Sequence, residues 1–293
     1  MVDYLGFIGF KIFKFLVLVI PKKFAKSFLD FIAKAVYFFD RSHRKICLAN
    51  LDLVYTDSIT FERKIEITKN SYKNLIYNLY EFIENSYIAQ DEILKKVEVS
   101  NEHFINGALE SGRPIIVVTA HYGNWELFGQ FASLRYRPMS VVGRMLDNKL
   151  LNKDLLETRN KNNCIMLDRN GASKGLVKAI KDGRMCGLVI DQHIGEDKGG
   201  VWIKVFGHDA LQSDSPARLA LKFDAIILPV FVILKDFRNY EVKFYEPISL
   251  ESNDILTITQ LQSDVIERQI LEFPDIWFWQ HKRWKGKFKH IYQ

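Results

Sequence analysis

From residue 101 onward, short apolar β-branched runs alternate with stretches of helical periodicity, and few architectures accommodate that rhythm. The runs are 115–120 (IIVVTA), 139–143 (MSVVG), 164–168 (CIMLD), 186–191 (CGLVID), 202–206 (WIKVF) and 226–234 (IILPVFVIL). Helical patterns separate most of them, at about 101–111, 124–134, 148–162, 173–182 and 214–223, and a late alternating strand at 240–248 precedes a helix near 257–272. Near-continuous apolar strands need cover on both faces, so this order predicts an α/β fold with a mixed, mainly parallel sheet flanked by helices. Residues 24–50 and 60–90 read as helical. With no internal repeat, low-complexity tract or linker, residues 24–293 read as a single α/β domain that includes the helical 24–100 segment.

Residues 1–23 are set apart by their apolar character. From Leu5 to Ile20 only Lys11 and Lys14 interrupt the run, and Pro21-Lys22-Lys23 closes it. Sixteen residues fall short of the roughly 20 that span a bilayer, and no small-residue cleavage pattern follows as a secretory signal requires. The expectation is an uncleaved membrane anchor, either an interfacial helix or a short span with snorkelling lysines; the alternative is a buried core helix. The net charge of +6 suits an anionic partner without choosing among nucleic acid, phospholipid and phosphorylated substrate. Cys47, Cys164 and Cys186 form no CxxC pair and read as reduced thiols of a cytosolic compartment.

The stretch "VVTAHYGNWELFG" (117–129) carries the chemistry. Its strand ends abruptly before His121, and helical spacing starts at "NWELFG", so His121-Tyr122-Gly123 falls in a strand-to-helix turn. Such turns lie at the carboxyl edge of a sheet, where α/β proteins bind ligands. Positions i and i+5 stand roughly 140° apart on one helix, so His121 must precede the helix if it is to meet Glu126. A carboxylate on one imidazole nitrogen fixes the tautomer and leaves the other as a base able to deprotonate a hydroxyl. The bland alternative is that His121 caps the helix and Glu126 is a solvated first-turn acid.

The motif also resembles the His-x-x-x-x-Asp/Glu signature of lysophospholipid and glycerolipid acyltransferases. With "NWE" it is most similar to the bacterial lipid A (lauroyl/myristoyl) acyltransferases. Further blocks follow in the family's order: "RSHRKICLANLDLVY", the Arg144, Asn148 and Arg159 block, "LDRNGASKGLVKAIKDG" with Arg169, "VIDQHIG" with Asp191 and Gln192, "VFG", and the ending "WFWQHKRWKGK". His193 departs from an expected acidic residue, and the ending lacks a proline after its basic run. The resemblance implies transfer of an acyl chain from acyl carrier protein, a co-substrate in place of any cofactor, to a hydroxyl of a lipid A precursor. The transfer would take place at the cytoplasmic face of the inner membrane. It implies His121 as general base, Glu126 as its orienting partner, and Asn124, Arg144, Arg159, Arg169, Asp191 and Gln192 as substrate-binding residues. The arginines suit forked contacts with phosphate, and backbone N–H groups of the Gly123 turn are candidate oxyanion donors. A lysophospholipid or other lipid acceptor is the alternative.

Three other constellations compete. "GASKG" (171–175) matches the G-x-S-x-G elbow around Ser173, but Arg169-Asn170 lengthen the turn and glycine-rich helix starts are common, so a plain helix N-terminus is the competing reading. "DQHIGED" with His208 and Asp209 fits no tight metal spacing, so no metal is expected, and His193 reads as part of a solvated loop. The aromatic and basic residues of "WFWQHKRWKGKFKH" read as a surface that touches lipid headgroups. The rest of the chain is too weakly basic for nucleic acid to be expected as a partner.

Overall fold

A computed structural model describes residues 2–146 and 148–293. Four helices open the chain: α1 (Val2–Val19), α2 (Lys22–Phe39), α3 (Arg41–Tyr55) and α4 (Phe61–Glu84). Pro21 separates the first two, because its ring leaves no N–H to continue a helix. The expected helix over 24–50 is two, since Asp40 ends α2 and caps α3 by accepting from the His43 amide at 3.1 Å. Helix α1 is no detached appendage: Val17 is buried with Leu29, Ala33, Tyr77 and Tyr80 of α2 and α4, while Phe10, Phe13 and Ile20 pack against that cluster. Among the described residues no helix is long and apolar enough to cross a membrane. The outer sides of α1 and α2 are nevertheless apolar, with Ile12, Phe15, Phe31 and Phe39 exposed.

The expected α/β architecture is present. After α5 (Gln90–Lys95), strands β1 (Val97–Ser100), β2 (Ile115–Thr119), β3 (Met139–Gly143), β4 (Cys164–Asp168), β5 (Met185–Val189), β8 (Ile226–Asp236) and β9 (Asn239–Phe244) build one seven-stranded sheet in the order β1-β9-β8-β2-β5-β3-β4. Every pairing is parallel except β8 with β9. Helices α6 (Glu102–Glu110), α7 (Trp125–Arg135), α8 (Lys149–Arg159), α9 (Ala172–Lys181) and α10 (Ser215–Phe223) supply most of the crossovers, and α11 (Ile255–Glu272) follows the last strand. One expected strand leaves the sheet: β6 (Gly200–Val205) pairs antiparallel with β7 (His208–Ser213) as a separate hairpin.

All five residues of β2 are buried, and successive side chains serve opposite faces. Ile116 and Val118 join a core with Leu188, Ile227, Phe231 and Trp277, whereas Ile115 and Val117 join Leu228, Val230, Phe128 and Phe131. A buried ionic cluster ties the helical layer to the sheet. Lys96 Nζ reaches Glu81 Oε2 at 2.8 Å, Glu84 Oε2 at 2.6 Å and Asn85 Oδ1 at 2.9 Å, and Arg238 from the β8–β9 turn reaches Glu84 Oε1 at 3.0 Å. The three cysteines are free and buried.

Candidate active site

The turn between β2 and α7 is fixed by its backbone. Gly123 has φ +53°, and a Cβ there would lie 1.6 Å from the Val232 carbonyl oxygen of β8, so only glycine passes. Its N–H donates to Ile276 O at 2.9 Å, the Asn124 N–H donates to Val232 O at 3.1 Å, and the Phe278 N–H donates to His121 O at 2.9 Å. From α4, Asn74 Nδ2 donates to Gly123 O at 3.0 Å, and Asn78 Nδ2 donates to the same oxygen. The amides proposed as oxyanion donors at Gly123 are therefore engaged within the protein.

His121 meets a carboxylate, and that carboxylate is Asp191. Its Oδ1 stands 2.7 Å from His121 Nδ1, and its Oδ2 accepts from the His121 amide at 3.0 Å and from Trp277 Nε1 at 2.7 Å. Asp191 follows β5, the parallel neighbour of β2, so the sheet itself sets the two side by side. Burial would raise the Asp191 carboxyl; the His121 imidazole and the three N–H donors outweigh it and hold the carboxyl below its ordinary range. With Nδ1 bound to Asp191, Nε2 is the nitrogen left for a substrate. The imidazole is flanked by the rings of Trp125 and Phe278, with centroids at 5.1 and 6.1 Å.

Glu126 has a different partner from the one its spacing suggested. It lies on the first turn of α7 and binds Arg159, the last residue of α8, through Nε at 2.9 Å and again through Nη2. Arg159 also stacks over Phe82 at 5.9 Å. The forked pair closes one wall of the site, so Glu126 is neither the imidazole's partner nor a solvated acid. Asp191 sits within reach of the imidazole, and sequence spacing could not reveal this because 70 residues separate the two.

His121, Glu126, Arg144, Arg159, Arg169 and Gln192 all line one cavity of about 510 Å³. Four basic residues (Arg144, Arg159, Arg169, Lys198) and one acid (Glu126) stand in its wall, whose remainder is largely apolar, including Val117, Phe128, Met139 and Met166. Such a lining receives an anionic group at one part and a hydrocarbon at another. The apolar part is tightly packed at Gly187, where a Cβ would lie 2.3 Å from Met139 Cε. Asn124 is buried, caps α7 by accepting from the Leu127 amide at 3.2 Å, and does not line the cavity. Asp191 stands behind His121 and does not line it either.

Ser173 and His193 do line the cavity. Ser173 lies on the first turn of α9. His193 is half-buried rather than solvated, and its amide donates to His281 Nε2 at 3.1 Å.

The C-terminal segment departs most from expectation. Trp277, Trp279, Trp284 and Arg283 are all buried, so the aromatic part of the cluster read as a lipid-touching surface belongs to the core, while Lys282, Lys285, Lys287 and Lys289 are exposed. Arg283 donates to Leu211 O and, at 3.0 Å, to Gln212 Oε1. Trp277 is the site residue that sequence reasoning missed; its only signal was membership of the ending block.

An imidazole oriented by a buried carboxylate beside a basic, apolar-floored cavity equips a protein to move an acyl group onto a hydroxyl. The sequence profile of bacterial lipid A biosynthesis acyltransferases matches residues 1–286. The chain belongs to that family. It is 25% identical over 261 residues to the lipid A biosynthesis lauroyltransferase of Escherichia coli K12, covering 87% of this chain and 83% of that one. The lipid A biosynthesis palmitoleoyltransferase of the same strain is 24% identical over 251 residues, covering 85% and 81%. The phosphatidylinositol mannoside acyltransferase of Mycolicibacterium smegmatis is 23% identical over 194 residues, 65% of this chain, and the match spans 63% of that relative's length.

Proposed function

We propose that this acyltransferase moves a fatty acyl chain from acyl carrier protein to a hydroxyl of a Kdo-bearing lipid A precursor, working at the cytoplasmic face of the inner membrane. The observation that carries the chemistry is the 2.7 Å contact between His121 Nδ1 and Asp191. In this reading the acceptor hydroxyl gives its proton to His121 Nε2 while its oxygen attacks the thioester carbonyl. The tetrahedral intermediate collapses as the C–S bond breaks, and the imidazolium returns the proton to the departing carrier thiolate. Asp191 holds the ring and offsets its transient charge. Glu126 acts through Arg159, positioning α8 and the basic wall, in place of the orienting role its spacing suggested.

The other parts of the reading have separate supports. Arg144, Arg169 and Lys198 in the cavity wall suit the phosphates of a lipid acceptor or of the carrier's phosphopantetheine. The outward aromatic residues of α1 and α2, with exposed Lys22, Lys23, Lys26 and Lys34 among them, suit an anionic leaflet that the protein rests on without crossing.

The test uses protein in detergent, acyl carrier protein loaded with a labelled acyl chain, and a Kdo-bearing lipid A precursor. Wild type is expected to transfer the label, and His121→Ala and Asp191→Asn are each expected to lower the rate by about 10²–10⁴-fold. Equal rates in all three would overturn the base assignment and direct attention to Ser173. Label found only when a lysophospholipid or a phosphatidylinositol mannoside replaces the lipid A precursor would reassign the acceptor and keep the chemistry.

A further inference from the structure

A second cavity, of about 250 Å³, lies outside the catalytic one and shares Trp125 and Glu126 with it. Its walls come from four helices: Phe10 of α1, Leu79 and Phe82 of α4, Trp125 of α7, and Leu151 and Leu155 of α8. Of the polar side chains in the wall, Asn78 Nδ2 is committed to the Gly123 carbonyl and Glu126 to Arg159, while Asn78 Oδ1 is buried without a partner. What remains is hydrocarbon, and Leu79 and Leu146 at the groove are 38% and 42% exposed. Open leucines of that size are costly to leave in water unless something apolar covers them.

We infer that this groove holds a hydrocarbon tail of the lipid acceptor while the acceptor's hydroxyl sits at His121; the inference rests on the lipid-acceptor reading above. Three observations select this occupant. Trp125 and Glu126 line both cavities, which places the two side by side within the span of one lipid with several tails. The catalytic cavity already offers an apolar run past Phe128, Met139 and Met166, which suits the single chain being transferred. The helix that closes the groove with Phe10 on its inner side turns Ile8, Ile12, Phe15 and Val19 outward on its opposite side, so the element that walls the groove also presents an exposed apolar face suited to lipid. Lys11 and Lys14 of α1 both bind Asp154 of α8, at 2.8 and 3.3 Å. They hold the two rims of the groove together, with their charge beside an incoming anionic headgroup.

The experiment maps where each chain goes. A phosphoglycolipid with a diazirine at one tail terminus, presented in phosphatidylglycerol vesicles, and an acyl-carrier-protein thioester with a diazirine at its chain terminus are each photolysed with the full-length protein. The labelled peptides are then sequenced. The phosphoglycolipid is expected to mark residues 10, 79 and 155, and the thioester to mark residues 128, 139 and 166. In Leu155→Trp, which fills the groove, phosphoglycolipid labelling is expected to fall about tenfold. The KM for the tailed acceptor should rise about tenfold, with no rise for the same headgroup stripped of its tails. A swapped pattern, labelling confined to the catalytic cavity, or labelling unaffected in Leu155→Trp despite normal folding would each overturn the inference. Groove labelling without any acyl transfer would leave the inference standing and sink the activity reading instead, so the two failures are told apart.

Discussion

At the residue scale, the site depends on what surrounds His121 as much as on the imidazole. Trp277 Nε1 is one of three donors on the Asp191 carboxylate. Replacing Trp277 with Phe removes an N–H from a buried charge, which costs about 1–3 kcal/mol. If His121 is the base, acyl transfer is expected to fall about ten- to a hundredfold, as measured by initial rates, with the fold checked by circular dichroism. Gly123 is a harsher case: its positive φ and the carbonyl of Val232 leave no room for a methyl group. Gly123→Ala is expected to destabilise by more than about 4 kcal/mol or to fail to fold, as read from thermal unfolding. Sequence made the strand-end turn at His121 legible, because an apolar run that stops at histidine and glycine before a helical pattern marks a strand-to-helix junction. It could not choose the carboxylate. Spacing along the chain favours Glu126, whereas parallel strand pairing, a long-range property, delivers Asp191.

At the element scale, long apolar runs were read correctly and short or polar ones were not. Strand β1 has four residues with a charged one among them, and β7 reads "HDALQS"; neither carries a periodic signal above its surroundings. The run 202–206 was recognised as a strand, but its partner decides its place, and that partner is β7 instead of the main sheet. The ionic cluster around Lys96 is another feature built by tertiary contact. It joins the carboxyl end of α4 to the start of β1 and to the β8–β9 turn, with Glu81 fully buried. Removing the Lys96 cation leaves two buried carboxylates with only Arg238 to share. Lys96→Met is expected to cost about 3–5 kcal/mol in urea unfolding, and Glu81→Gln in that background should recover part of the loss.

At the scale of the whole molecule, acid sensitivity follows from histidine burial. Burial pulls His281 down from an ordinary 6.5 to about 4, so the folded chain keeps it neutral where the unfolded chain takes up a proton. The unfolded state binds more protons between those values, and stability therefore falls as pH drops from about 6.5 to about 4. The loss assigned to this group is on the order of 2 kcal/mol. His281→Gln keeps an acceptor for the His193 amide, and it is expected to shrink the difference in Tm between pH 7 and pH 4.5. An unchanged difference would move the acid sensitivity elsewhere. The class of fold was legible because alternating runs and helices admit one layered arrangement; the burial of the C-terminal tryptophans was not, because a cluster of aromatic and basic residues looks alike on a surface and in a core.

The turn that carries His121 is held by Asn74 and Asn78 before it and by Val232, Ile276, Phe278 and Trp277 long after it. During synthesis a ribosome delivers the histidine more than a hundred residues ahead of the segment that locks it. Until that segment emerges, His121 lacks the backbone clamps of Ile276 and Phe278 around its turn, and Asp191 lacks the Trp277 donor. If His121 is the base of the proposed reaction, a chain that stops before this segment carries the histidine without the contacts that fix it, and is expected to be inactive.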